Sequence, residues 1–145
     1  MSSVWWVVEK KLGGFRKPVL EDLEWLQKED NVGGIVSLLD DNENLEMYES
    51  NNIPHLWIPV KGGKTPTIEQ LGLLKSFVSE QNVAGKAVFV HCTNGRRRTG
   101  TALIALLIMT GHSFEDAKSI VYTANPEVDL REEQLTFLES LHTLL

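Results

Sequence analysis

The chain has 145 residues, 42% apolar and 23% charged, ordinary globular values that argue against a disordered or fibrous chain. A formal net charge of −6 disfavours broad contact with nucleic acid or anionic membrane, and the longest apolar run, Ala102–Met109, is far too short for a membrane span. Met1-Ser2-Ser3 leads into Val4–Val8 without a signal-peptide pattern, and the lone cysteine, Cys92, allows no disulfide framework, so a cytoplasmic protein is expected.

Residues 1–145 read as one domain, without repeats, low-complexity tracts or linkers. Val4–Glu9 is predicted as a strand, broken by Leu12-Gly13-Gly14-Phe15. Pro18 opens a helix to about Glu29, striped by Leu20, Leu23 and Leu26. Gly33-Gly34 precede a buried strand, Ile35–Leu39, and a weaker helix covers Glu43–Ser50. Pro54 and Pro59 bound a third strand, His55–Val60. The next helix begins near Pro66 and carries Ile68, Leu71, Leu74 and Val78. Ala87–His91 is continuously apolar, as a central strand covered on both faces should be. Thr99–Thr110 predicts a helix buried all round and ended by Gly111. Ser113 with Asp116 starts a helix to about Thr123, which Asn125-Pro126 stops. Asp129 with Glu132 starts the last helix, striped by Leu135, Leu138, Leu141 and Leu145. The order predicts an α/β fold: a mostly parallel central sheet flanked by helices, with a helical C-terminal third.

The chemistry concentrates in His91-Cys92-Thr93-Asn94-Gly95-Arg96-Arg97-Arg98-Thr99-Gly100, between the central strand and the buried helix. Ligands collect at the C-terminal ends of strands in such sheets. A tight loop relaxed by Gly95 points backbone N–H groups inward as an anion nest, and the helix N-terminus adds partial positive charge. A thiol placed there ionises below its ordinary pKa, and Arg98 can grip two oxygens of a tetrahedral anion. A buried lone cysteine is ordinarily a small core residue, but here Gly95, Arg98 and Thr99 stand in register with it. A Cys–His hydrolase is disfavoured, since no other histidine is placed to serve it. His55, His112 and His142 have no ligand spacing and read as structural or surface, so neither a metal nor another cofactor is expected. Trp5, Trp6, Trp25 and Trp57 read as core.

This segment resembles His-Cys-x5-Arg-Ser/Thr, the phosphate-loop signature of the cysteine-dependent protein tyrosine phosphatase superfamily, and the layout resembles its compact, microbial dual-specificity-like branch. The resemblance covers nearly the whole chain. It implies that Cys92 is the nucleophile of a phosphocysteine mechanism and that Arg98 binds substrate and stabilises the phosphoryl group in flight. It implies a phosphate cradle of backbone N–H groups across Thr93, Asn94, Gly95, Arg96, Arg97 and Arg98. Thr99 would stabilise the departing thiolate, and His91 would order the loop and help keep the thiol ionised. Gln134, in Arg131-Glu132-Glu133-Gln134, resembles the glutamine that positions the hydrolytic water in several members.

The chain departs from the family at the general acid. The family's loop reads Ile-Pro-x-x-Asp, whereas here Ile58-Pro59-Val60-Lys61-Gly62-Gly63-Lys64-Thr65-Pro66 places Gly62 where the aspartate belongs. Three readings compete: an acid from Asp40, Asp41 or Glu69; neutralisation by Lys61 or Lys64; or leaving groups that depart without a proton. Gly62-Gly63 can also be read simply as a flexible loop in which catalysis survives by repositioning. Arg96 and Arg97 suit a multiply phosphorylated substrate by resemblance to phosphoinositide phosphatases, and are equally readable as solvated or paired with nearby carboxylates.

The reading is a metal-independent protein tyrosine, dual-specificity-like phosphatase acting as a monomer on phosphorylated proteins (phosphotyrosine) or small phosphate esters. The alternatives are an RNA 5′-triphosphatase, the one reading with a nucleic-acid partner, another polyphosphate or phosphoinositide phosphatase, or a phospho-ligand-binding pseudophosphatase. No membrane partner is expected.

Overall fold

A computed structural model describes residues 4–145. The first strand, β1 (Trp5–Val8), turns through Lys10, at φ 58°, into β2 (Leu12–Phe15). Leu12–Phe15 therefore does not break the strand as expected but forms the second arm of a hairpin, antiparallel to β1 and parallel to the central strand. Its glycines are needed for packing. A Cβ on Gly14 would lie 2.2 Å from the Trp5 ring, so the indole fills the place of a side chain.

Helix α1 (Leu20–Lys28) starts later than Pro18, and the backbone N–H of its N-cap residue Val19 donates to Asp22. Strand β3 (Val32–Ser37) begins earlier than expected and includes Gly33 and Gly34, where a Cβ would strike Lys86 and Phe77. Helix α2 (Leu45–Ser50) and the short β4 (His55–Trp57) follow. Helix α3 (Ile68–Val83) is closed at its start by reciprocal bonds between Thr67 and Gln70. Next come β5 (Ala87–His91), α4 (Arg97–Met109), α5 (Phe114–Ala124) and α6 (Glu132–Leu144). Ser113 caps α5 through the Asp116 N–H, as its spacing implied. The cap of α6 is Arg131 rather than Asp129, because Gln134 Oε1 accepts from the Arg131 N–H.

The sheet order is β1-β2-β5-β3-β4, parallel except for β1. This is the expected α/β architecture, with β5 at its centre. The alternation along β5 sends Val88, Val90 and then Cys92 into the apolar cluster formed with α3, α4, α5 and α6. Phe89 belongs to the opposite cluster, with Leu23, Leu26 and Tyr48 of α1 and α2. Both faces are covered, which accounts for the unbroken apolar run. Helix α4 is buried from Thr99 to Ile108, as its composition required. The tryptophans are less buried than expected: Trp5, Trp6 and Trp25 only edge the clusters, and Trp57 is 40% exposed, its indole donating to Leu39 O. A short edge strand has no layer to cover that ring.

Candidate active site

Cys92 follows the last residue of β5 and is 4% exposed, at the floor of a cavity of about 250 Å³. Gly95 makes the loop possible. It has φ 69°, and a Cβ there would lie 2.4 Å from Phe15 O, so only glycine lets the loop press against β2. Burial by itself would raise the Cys92 pKa. Hydrogen bonds from the Thr99 hydroxyl and from the backbone N–H groups of Thr99, Arg96 and Gly95 outweigh it and hold the pKa below its ordinary value. The Thr99 Oγ1 to Cys92 Sγ distance is 3.2 Å.

Arg98 lies at the start of α4, with Nη1 donating to Val60 O at 2.8 Å and Nη2 to Thr93 Oγ1 at 3.2 Å. These bonds aim the guanidinium across the loop while leaving other N–H groups for a ligand. Arg97 donates from Nε to Asp129 O at 3.0 Å and meets the Asp129 carboxylate at 3.4 Å, so one loop arginine is matched by a carboxylate. Thr93, Asn94 and Arg96 line the same cavity.

His91 points to the opposite face of the sheet and is fully buried. Its Nδ1 donates to Cys92 O at 3.0 Å, and its Nε2 accepts from Tyr48 Oη at 2.8 Å. Asn44 Nδ2 in turn donates to Tyr48 Oη at 2.8 Å. Burial, together with the positive charges of Lys17 and Arg98, outweighs the bond to Cys92 O and lowers the His91 pKa to about 4. His91 thus orders the loop, but as a neutral ring it brings no positive charge to the thiol. Sequence reasoning missed Asn44 and Tyr48, since nothing in α2 marks them as neighbours of a loop far along the chain.

The Ile58–Pro66 loop supplies Gly62 and Gly63 to the cavity wall and no carboxylate. Asp40 stands 3.9 Å from Arg98 Nη1, while Asp41 accepts from the Glu43 N–H. Glu69 lies in the first turn of α3, outside the cavity lining, and Lys64 pairs with Glu133 at 3.4 Å. Gln134 is fully buried and outside the lining; its Nε2 donates to Lys64 O at 3.2 Å and its Oε1 serves the Arg131 N–H. Two unassigned residues do line the cavity, Asp129 and Arg131. Arg131 stands three positions before Gln134, and as a sequence it is indistinguishable from a solvated arginine at a helix start.

Residues 10–112 match the family model for a polymorphic toxin system DSP-PTPase phosphatase. The chain belongs to the DSP-PTPase phosphatases. It is 30% identical over 150 residues to the phosphatidylglycerophosphate phosphatase PTPMT2 of Arabidopsis thaliana, covering 97% of this chain and 64% of that one. It is 26% identical over 125 residues to the phosphatidylglycerophosphatase and protein-tyrosine phosphatase 1 of Rattus norvegicus, covering 79% of this chain and 63% of that one. The chain thus spans less than two-thirds of either relative. The crystal structure of Tk-PTP in the active form superposes with a TM-score of 0.87 at 25% identity, over 99% of this chain and 98% of that one. PTPMT1 in complex with PI(5)P shares the fold, with a TM-score of 0.84 at 22% identity over 93% and 92% of the two chains. The chain is thus a member of the cysteine-dependent, dual-specificity-like phosphatase superfamily, of the compact microbial type.

Proposed function

We propose that this DSP-PTPase phosphatase hydrolyses phosphate monoesters through a phosphocysteine at Cys92, without a metal. One observation carries the reading: a buried thiol whose pKa is lowered by four converging donors, on the floor of a cavity walled by arginines. The Cys92 thiolate attacks phosphorus, the ester P–O bond breaks, and the leaving oxygen departs with its electron pair. Arg98 and the loop N–H groups balance charge on the remaining oxygens. Water then attacks phosphorus, releasing inorganic phosphate, and the Thr99 hydroxyl stabilises the returning thiolate.

Aryl phosphates, including phosphotyrosine on proteins, suit this site first, because an aryl oxygen leaves readily and the Ile58–Pro66 loop presents no carboxylate. A monomer acting in the cytosol, where a single reactive thiol stays reduced, completes the reading. A second reading is favoured by the cationic wall formed by Arg96 and Arg131: substrates with more than one anionic group, among them polyphosphates and phospholipid monoesters. The names of the Arabidopsis and rat relatives point the same way.

The test is turnover of p-nitrophenyl phosphate in EDTA by the protein and by Cys92→Ser. Turnover that resists EDTA and disappears in the variant supports the mechanism. Phosphate-ester binding without turnover would make the chain a pseudophosphatase.

A further inference from the structure

The arginines of the Cys92 cavity divide by what they already hold. Arg98 holds Val60 O and Thr93 Oγ1, and Arg97 is matched by Asp129. Among the described residues, the guanidinium groups of Arg96 and Arg131 form no hydrogen bond or ion pair with the protein, although both line the cavity. Arg131 is the more informative, because it comes from outside the phosphate loop.

Its backbone N–H already serves the start of α6 by donating to Gln134 Oε1 at 3.0 Å, a bond that does not involve the side chain. The side chain instead runs along Gly63. A Cβ built on Gly63 would lie 3.1 Å from Arg131 Nη1 and 3.3 Å from its Cδ, and Gly63 has φ 78°. The same loop is fastened to α6 by Gln134 Nε2 on Lys64 O at 3.2 Å. The loop in which the family resemblance would place an acid therefore presents, in this chain, two glycines backed by a guanidinium.

An ester with a single phosphate group leaves Arg131 unmatched, because Cys92, the loop N–H groups and Arg98 suffice for one phosphate. Resting on the phosphatase reading above, we infer that Arg131 binds a second phosphate group of the substrate, carried by the leaving group. The chemistry agrees with the absent carboxylate. When thiolate attack on the terminal phosphorus breaks a P–O bond to another phosphate, the departing oxygen keeps the electron pair as a low-pKa anion. It needs a neighbouring cation rather than a proton. Water then hydrolyses the phosphocysteine to inorganic phosphate and restores the thiolate. A bisphosphate ester presents the same second anion at a longer reach.

The experiment compares kcat/KM of the full chain on p-nitrophenyl phosphate, fructose 1,6-bisphosphate and inorganic tripolyphosphate, for wild type, Arg131→Gln, Arg131→Lys and Arg96→Gln. The reported quantity is the ratio of each polyphosphorylated substrate to p-nitrophenyl phosphate. Arg131→Gln should lower that ratio by about tenfold or more, mainly through KM, with Arg131→Lys recovering part of it. A fall confined to tripolyphosphate identifies a phosphoanhydride substrate, and one confined to the bisphosphate identifies a bisphosphate ester. Ratios unchanged in Arg131→Gln, or reduced only by Arg96→Gln, overturn the inference. Calorimetry of tripolyphosphate on Cys92→Ser, with and without Arg131→Gln, separates the two levels. Arg131-dependent binding in a protein that turns over no substrate overturns the phosphatase reading alone. Turnover of p-nitrophenyl phosphate with Arg131-independent binding overturns this inference alone.

Discussion

The Thr99 hydroxyl donates to Cys92 Sγ across 3.2 Å, from the first turns of the helix that follows the loop. Both side chains are buried, so the bond competes with little water and is among the donors that hold the thiol below its ordinary pKa against the opposing effect of burial.

Thr99→Ala should shift the pH midpoint of Cys92 alkylation by iodoacetate upward, and Thr99→Ser should restore it. A thiol with a lowered pKa is ionised down to a lower pH, so losing a donor moves the titration toward the free value. With the thiolate also the leaving group of the second step, kcat should fall about tenfold or more. An unchanged alkylation profile would remove Thr99 from the mechanism.

Arg98→Lys keeps the charge and loses the planar fork that Val60 O and Thr93 Oγ1 orient. A drop of about 10²-fold or more in kcat/KM for p-nitrophenyl phosphate is expected, from losses in both binding and turnover. A change under threefold would mean that charge alone suffices.

Gly62→Asp tests the absent acid. A Cβ on Gly62 meets no atom within 4 Å, so the carboxylate has room, which Gly63, at φ 78° against Arg131, would not give it. Wild-type rates should fall steeply from nitrophenyl to tyrosyl to alkyl phosphates. Gly62→Asp should raise the poorer substrates by about tenfold or more, within the ~10²–10⁴ available to general acids. A flat wild-type dependence made steep by Asp40→Asn would place the acid on the β3 side, where Asp40 stands 3.9 Å from Arg98.

The His91 ring gives a pH signature of stability. Its pKa is lowered in the fold to about 4 from an ordinary 6.5, so the unfolded chain takes up the proton first as pH falls. The stability of the neutral, buried ring is fully present above pH 6.5 and is lost between there and about pH 4, at most roughly 3 kcal/mol. Asp22, held low by Arg16 and the Val19 N–H against its own burial, adds to the loss in stronger acid. Urea midpoints should fall from pH 7 to pH 4.5, and less steeply in His91→Gln. An equal slope in the variant would mean that His91 titrates normally.

Much of the Cys92 loop was legible in the sequence because its parts are local. A strand, a glycine with positive φ, a helix start and an arginine lie within Ala87–Thr99, and short-range geometry brings Cys92, Arg98 and Thr99 together. The apolar runs of β5 and α4 likewise announced burial on both faces and all round. Gly13-Gly14 misled as a break and Gly33-Gly34 as lying ahead of their strand, because the rings and stems that fill the space over three of these glycines, Trp5, Phe77 and Lys86, come from other segments.

The sequence by itself placed thiol, glycine loop and guanidinium together, because they are joined by a few covalently linked residues. It showed equally that the Ile58–Pro66 loop holds no carboxylate, since an absent side chain requires no fold to detect. Only the tertiary structure decided which side chains surround that centre. It matched Arg97 with Asp129, left the Arg131 guanidinium without a partner among the described residues beside Gly63, and turned Gln134 from the cavity to the Lys64 carbonyl. It also kept His91 neutral by burying it under Tyr48. These relationships depend on α2 packing beside the edge strand β4 and α6 packing against α4, and contacts between segments distant along the chain carry no local pattern from which they could be read.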